Sequence, residues 1–382
     1  MQKKIRAVIM RGGTSKGVFF REQDLPQDKE LRDKIITRIF GSPDPYGRQI
    51  DGLGGATSTT SKVAIIGKSN SPEYDVNYTF GQVAIRKRLI DYRGNCGNLS
   101  SAVGPFAIDE GMVEVSEPIT RVRIFNTNTK KLIVANVPVE NGKAKVEGDY
   151  YISGIPFPGA KIALEFYEPG GAVTGKLLPT GNVVDTLEIP GIGEVEFSFV
   201  DASNPVIFIE ARTIGLEGTE LPPEVDSRPE ILEMLDRIRS FIGALYGFGS
   251  TPEEVSKNSP AVPKIAFVSP PTDYISTSGK KISKDEISLT ARIISMGKLH
   301  AAYALTGAIC TAIASSIPGT IVNRVSRGPI KNGEVIIGHP AGVMEVVPFV
   351  KQTETGFFAE KAIAFRTARR IMEGFVYYPE AF

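Results

Sequence analysis

Two stretches of this chain follow one plan, and that repetition limits the folds open to it. In the first, a strand over 5–10 turns through Arg11-Gly12-Gly13-Thr14-Ser15-Lys16-Gly17 into a second strand over 18–20. The spacing of Leu31, Ile35, Ile36 and Ile39 predicts a helix over 28–40. A glycine-rich loop over 41–60 leads to strands over 62–67 and 78–92, then to an apolar helix rich in small residues that starts near Cys96. Strands dominate 121–149, with Asn141-Gly142 as a hairpin turn. The second stretch starts near Thr180, with strands over 195–201 and 206–211, a helix over 229–246 and a strand over 264–268. Segments 285–294 and 299–317 read as helical, interrupted at Met296-Gly297, and the small-residue helix near Thr306-Gly307 matches the one after Cys96. Strands over 335–337, 344–350, 357–369 and 374–378 close the chain. This order predicts an α+β protein of two similar lobes, each with a central helix, and a ligand cleft between them.

Bulk properties exclude several classes of function. The 44 basic and 43 acidic residues leave a net charge of +1, so any anion site must be local, and nucleic-acid binding driven by bulk charge is not expected. No apolar run reaches the ~18 residues of a membrane span, and no signal-peptide core follows the basic start, so a cytoplasmic protein is expected. The two cysteines, Cys96 and Cys310, and two histidines, His300 and His339, are too few for a disulfide framework, a zinc cluster or a catalytic transition-metal site.

Two residues stand out as chemical groups. Cys96, in Gly94-Asn95-Cys96-Gly97-Asn98, falls at a strand-to-helix turn. A helix N-terminus carries unpaired N–H groups and a partial positive charge, which favour a thiolate and attract carboxylates. Gly94 and Gly97 permit close backbone approach, and Asn95 and Asn98 supply amide donors. The ordinary fate of a lone cysteine, packing as a small hydrophobe, is the competing reading, and Cys310 is assigned to it. Lys62 follows five consecutive Ser or Thr residues, Thr57 to Ser61, and the glycines Gly52, Gly54 and Gly55. Such a segment offers hydroxyl and N–H donors around an anion, and a lysine drawn out of water there suits general-base work. The 11–17 turn is donor-rich but lacks P-loop spacing. Asp51 reads as structural, in an ion pair with Arg48, and Arg369 and Arg370 as surface or inter-strand pairs. His300, His339 and Lys298 are weighed as carboxylate binders, the histidines more readily as hydrogen-bonded structural residues.

Taken together, Met10-Arg11-Gly12-Gly13-Thr14-Ser15-Lys16-Gly17, Gln49-Ile50-Asp51-Gly52 with Thr60-Ser61-Lys62, and Gly94-Asn95-Cys96-Gly97-Asn98 with Gly104-Pro105-Phe106-Ala107 resemble the 2-methylaconitate cis–trans isomerase family. That family includes 3-methylitaconate Δ-isomerases and 4-oxalomesaconate tautomerases. The resemblance continues through Gly319-Thr320, His339-Pro340 and the segment from Ala368 to Gly374. It implies a diaminopimelate-epimerase-like fold of two pseudo-symmetric lobes, each a curled, mostly antiparallel sheet around a central helix. The expected lobes are 1–180, completed by a last strand near 370–382, and 181–369. Cys96 matches the first of the two epimerase cysteines, whereas Ala304-Leu305-Thr306-Gly307-Ala308 has no cysteine for the second. Two-thiol racemisation is therefore not expected, and the resemblance implies that Lys62 joins Cys96 in proton transfer without cofactor or metal.

The expected activity is a cofactor-independent isomerisation of a small unsaturated di- or tricarboxylate. The alternatives are keto–enol tautomerisation of an oxo-tricarboxylate such as 4-oxalomesaconate, and a non-catalytic polycarboxylate-binding accessory protein. The expected substrate-binding residues are Thr14, Ser15, Ser58, Ser61, Asn95, Gly97 and Asn98 in the first half. Met296, Gly297, Lys298, Thr306 and Gly307 are their counterparts in the second. No nucleic-acid or membrane partner is expected, and a homodimer is the working expectation for quaternary state.

Overall fold

The computed structural model describes residues 1–380. The chain divides into two compact units. The first comprises Met1–Tyr151, Phe157–Leu164 and the chain from Arg366 onward; the second comprises Ile152–Pro156 and Glu165–Phe365.

In the first unit, β1 (Gln2–Gly12) and β2 (Ser15–Arg21) form a hairpin, followed by α1 (Lys29–Ile39), β3 (Lys62–Lys68), β4 (Val76–Val83) and β5 (Ile90–Asp91). Then come α2 (Gly97–Asp109), β6 (Ile119–Asn126), β7 (Lys131–Glu140) and β8 (Lys143–Ala144). The closing strand of the chain, Ala368–Pro379, pairs antiparallel with β1. Hydrogen-bonded neighbours run from the closing strand through β1, β2, β3, β4 and β6 to β7, antiparallel except for β2–β3 and β4–β6. Asp28 caps α1 by accepting from Leu31 N at 2.7 Å. Ile35, Ile36 and Ile39 bury the α1 stripe against Val18, Phe20, Val63 and Ile65, while Leu31 stays exposed.

The other face of this sheet belongs to α2. Every residue from Gly97 to Ile108 is buried, and the Ser100 and Ser101 hydroxyls are satisfied by donating to the Cys96 and Asn98 carbonyls. It touches β1, β2, β3, β6, β7 and the closing strand, so the sheet curls around it. Phe106 meets Phe19 of β2 at 5.5 Å between ring centroids. At Gly104 a Cβ would lie 2.7 Å from Val137 and 3.0 Å from Ala135, so only glycine lets the helix rest on β7. Its C-terminal end is fixed by charge. Glu110, the C-cap, takes hydrogen bonds from Arg6 (2.7 and 3.0 Å), Arg21 (2.8 Å) and Arg370 (2.9 Å), which reach it from β1, β2 and the closing strand. Three cations also suit the negative end of the helix.

Strand β9 (Ile162–Tyr167) carries the chain into the second unit. There follow β10 (Asp185–Ile189), β11 (Gly193–Ala202), β12 (Asn204–Glu210), α3 (Pro222–Asp226), α4 (Pro229–Leu245), α5 (Pro252–Asn258) and β13 (Lys264–Ser269). A small hairpin of β14 (Tyr274–Ile275) and β15 (Lys281–Ile282) precedes β16 (Leu289–Ser295), β17 (Lys298–Leu299), α6 (Leu305–Ser315) and α7 (Ile321–Val325). The unit ends with β18 (Val335–His339), β19 (Gly342–Thr353) and β20 (Gly356–Arg366). From β11 through β12, β13, β16 and β18 to β19 the pairing alternates antiparallel, parallel, antiparallel, parallel, antiparallel. The first unit follows the same order from β1 to β7. Like α2, α6 is buried along its whole length. The fold class is α+β, and the internal duplication is a property of strand pairing as well as of sequence.

Several local expectations are corrected. Segment 78–92 is not one strand: β4 ends at Val83 and β5 occupies only Ile90–Asp91. Segment 285–294 is not one helix: a 3-10 turn over Lys284–Glu286 precedes β16, in which Leu289 to Ile294 are all buried. A strand covered on both faces loses its period-two alternation, and a short apolar run then mimics a helix. The helix expected over 299–317 starts only at Leu305, because Met296 and Gly297, both at positive φ (55° and 77°), make a two-residue hairpin turn between β16 and β17. The Asn141-Gly142 turn forms as expected, with φ of 54° and 71°.

Candidate active site

Alternation along the strands of the first unit decides which side chains face the start of α2. Gly17 of β2 faces it, since a Cβ there would lie 2.9 Å from Leu99 Cδ2 and 3.0 Å from the Lys62 carbonyl. The register Val18↔Val63 sets Lys62 beside Gly17, and the register Lys62↔Gln82 sets Gln82 on the other side. Ser15, two residues before Gly17, shares its face. Lys62, Gln82, Ser15 and the first turn of α2 are thus gathered on one side of one sheet.

Lys62 is 8% exposed. Its Nζ donates to Gln82 Oε1 at 2.7 Å and lies 5.0 Å from the centre of the Phe80 ring. Gln82 is held in turn by its Nε2, which donates to Ser61 O at 2.9 Å. The lysine therefore meets a neutral amide oxygen whose direction is set by the backbone.

Cys96 is the N-cap of α2, as the sequence places it. Its Sγ accepts from Leu99 N at 3.4 Å and its thiol lies 3.9 Å from Ser15 Oγ. In the second unit the N-cap of α6 is Ala304, so the duplication carries a thiol at one helix start and a methyl group at the other. Cys310, inside α6, is fully buried with its Sγ 3.2 Å from Val200 O, and burial pushes its thiol well above the ordinary range.

The other expected binding residues take varied places. Thr14 N donates to Asn98 Oδ1 at 3.4 Å, while Thr14 Oγ1 is buried without a hydrogen-bond partner among the described residues. Asn98 Oδ1 also accepts from Arg366 Nε at 2.9 Å, so the first turn of α2 is tied both to the β1–β2 turn and to the end of β20. Asn95 Oδ1 accepts from Asn126 Nδ2 at 3.2 Å, and Ser61 Oγ donates to Gln49 Oε1 at 2.5 Å. Both side chains point into the protein framework. Gly97 is the first residue of α2, where N–H groups have no partner within the helix. Ser58 sits half-buried in the hydroxyl-rich loop, beside the Thr57, Thr59 and Thr60 hydroxyl cluster.

In the second unit, Met296 and Gly297 form the hairpin turn and Lys298 is exposed beside it, so these residues do not cap α6. Thr306 Oγ1 accepts from Asn204 Nδ2 at 2.8 Å, and Gly307 packs under Ile293. His300 Nδ1 accepts from Ala302 N at 3.1 Å, and His339 Nδ1 from Ala341 N at 3.2 Å, so both histidines shape local turns. Asp51 pairs with Arg38 of α1 at 2.8 Å, not with Arg48, whose backbone N–H is taken by Asp44.

Sequence reasoning missed Gln82 and Gln49 as organisers. Gln49 is buried at positive φ (48°), and its Oε1 gathers Ala56 N and Ser61 Oγ while its Nε2 donates to Ser42 Oγ at 2.9 Å. Its place inside a recognised motif was the available signal. Gln82 had none, since only the β3–β4 register brings it to Lys62.

The model of the family described as PrpF protein matches residues 2–379. The chain is 52% identical over 381 residues to the 3-methylitaconate isomerase of Eubacterium barkeri, covering 100% of this chain and 98% of that protein. It is 43% identical over 389 residues to the 2-methyl-aconitate isomerase of Cupriavidus necator, covering 99% and 98%. A crystal structure of methylitaconate-delta-isomerase superposes with a TM-score of 0.80 at 51% identity, over 100% of this chain and 97% of that one. A hydroxyproline epimerase from Agrobacterium vitis shares the fold at 11% identity, with a TM-score of 0.57 over 98% and 92% of the two chains.

Proposed function

This chain belongs to the PrpF protein family and is an isomerase, and from that premise we propose that Lys62 and Cys96 move the proton in its reaction. The substrate we favour is a small unsaturated dicarboxylate of the 3-methylitaconate type, with 2-methylaconitate as the next choice, following the names of the two relatives. The observation that carries this reading is the placement of a buried amine and a helix-capping thiol on one face of one sheet.

The chemistry follows from acidity. A carbon allylic to a C=C bond that bears carboxylates loses a proton to give a dienolate-like carbanion, with charge spread onto carboxylate oxygens. The Gly97 and Asn98 N–H groups, which open α2 ahead of any helical acceptor, and the Ser15 hydroxyl are preorganised donors for that charge. One group removes the proton and the other returns one at the far end of the allyl unit, or rotation about the weakened double bond gives the cis–trans product. Each such group is worth ~10²–10⁴-fold in rate. The reading includes a cytoplasmic setting and a reaction without cofactor; the two cysteines are unbridged, which suits a reducing compartment.

The test is incubation of the purified protein with 3-methylitaconate and with 2-methylaconitate in deuterated water, followed by proton NMR. Isomerisation with deuterium incorporated at carbon, unchanged after dialysis against a chelator, supports the proposal. Binding of either compound without C–H exchange would overturn the proposed substrate and proton path.

A further inference from the structure

Buried polar groups of the loop between α1 and β3 converge on the residue just before Lys62. Gln49, in that loop, is 1% exposed and has a φ of 48°, in the left-handed region that residues other than glycine seldom adopt. Backbone strain of that kind persists only where the surroundings over-determine it. Here they do. The Gln49 N–H donates to Asp44 Oδ2 at 2.6 Å, and its Nε2 donates to Ser42 Oγ at 2.9 Å. Gly54 leaves the space that the amide fills, since a Cβ there would lie 2.3 Å from Gln49 Oε1. With the amide so fixed, Oε1 accepts from Ala56 N at 2.8 Å and from Ser61 Oγ at 2.5 Å.

Ser61 is fully buried and held at both ends. Its hydroxyl goes to Gln49, while its carbonyl accepts from Gln82 Nε2 at 2.9 Å and from Val83 N at 3.0 Å. Gln82 Oε1 in turn accepts from Lys62 Nζ at 2.7 Å. Gln49, Ser61, Gln82 and Lys62 thus form one connected path of hydrogen bonds, and all four are buried. Each member except the lysine is neutral, so the path fixes a direction without adding charge. A buried network whose links are all made rigidifies what it holds.

We propose that Gln49 is a positioning residue for the Lys62 amine. It fixes Ser61, Ser61 fixes the Gln82 amide, and that amide aims the lysine. Gln49 touches no substrate, and its strained backbone is the fixed end of the path. The inference rests on Lys62 being a proton-transfer group.

The experiment compares wild type with Gln49→Ala, Ser61→Ala, Gln82→Ala and the double variant Gln49→Ala/Gln82→Ala. It reads kcat and KM for 3-methylitaconate, thermal stability, and the rate at which acetic anhydride acetylates Lys62, located by peptide mass. Gln49→Ala and Ser61→Ala should each lower kcat by about tenfold or more while KM stays within about twofold, the mark of a misplaced reacting group. Acetylation of Lys62 should speed up severalfold in both, because the amine is no longer held on Gln82. In the Gln82→Ala background the path is already cut, so adding Gln49→Ala should lower kcat by less than about twofold more. Ser61→Ala removes one hydroxyl and decides the matter if Gln49→Ala misfolds. Additive losses of kcat in the double variant, or a loss of stability with Lys62 acetylation unchanged, overturn the proposal. Acetylation needs no turnover, so the two failures are read separately. Unchanged acetylation removes the positioning role, whereas a fully active Lys62→Ala variant removes the proton-transfer assignment itself.

Discussion

Lys62 and Gln82 are joined by a 2.7 Å hydrogen bond in which an amine meets a neutral amide where a carboxylate would fit equally well. The neutral partner fixes the direction of the side chain without an opposite charge that favours the protonated form. The proposed role of Lys62, to give and take a proton, calls for such a partner. Gln82→Glu should therefore lower kcat by about 10²-fold or more, and by more than Gln82→Ala, although it keeps the hydrogen bond. Steady-state kinetics on the two variants checks the order; a glutamate variant as active as wild type would show that Lys62 does not cycle its proton.

Gly12 lets α2 approach β1. A Cβ there would lie 2.5 Å from the Asn98 carbonyl oxygen and 3.1 Å from Leu99 Cα, both backbone atoms that cannot swing aside. Gly12→Ala should push the first turn of α2 away from Ser15, costing about 1–3 kcal/mol of stability and reducing kcat along with it. Urea unfolding and turnover measured on the same preparation provide the check.

Glu110 anchors the opposite end of that helix. Burial works against its charge, but hydrogen bonds from Arg6 and Arg370 prevail and hold the carboxyl down at about 2, below its ordinary 4.5. A depressed acid stabilises the fold above its unfolded value and stops doing so as pH falls through the folded one. Solvent at the outer edges of the arginines screens the effect to on the order of 1–2 kcal/mol. Glu110→Gln should be less stable than wild type at pH 6, with the gap narrowing steadily below pH 4.5. A gap independent of pH would place the effect in packing alone.

Cys310 provides the contrast to Cys96. It is enclosed in α6 with no exposed surface. Cys310→Ala should leave kcat within about twofold and lower stability by roughly 1 kcal/mol, the loss of one small buried group. Parallel turnover and thermal-melting measurements decide this.

What the sequence made legible follows from range. The helices α1 and α4, the Asn141-Gly142 turn and the cap at Cys96 are local patterns, and each forms where the sequence puts it, with Leu31 alone of the α1 stripe left exposed. The duplication was legible because each unit repeats its order of elements. Strand β16 was not, because burial on both faces erases the alternation that marks a strand. Gln82 and the Glu110 cluster draw their meaning from partners that only pairing or packing supplies, such as Arg370, which lies 260 residues from Glu110. Asn95 and Ser61 look like free donors in sequence because nothing local reveals Asn126 and Gln49 as their partners.

The most direct measurement is turnover of 3-methylitaconate in deuterated water by Lys62→Ala and Cys96→Ala, with circular dichroism confirming the fold. Loss of kcat and of deuterium uptake by ~10²-fold or more in each variant is the predicted result. Either variant exchanging and isomerising at the wild-type rate would remove that residue from the proton path and contradict the account.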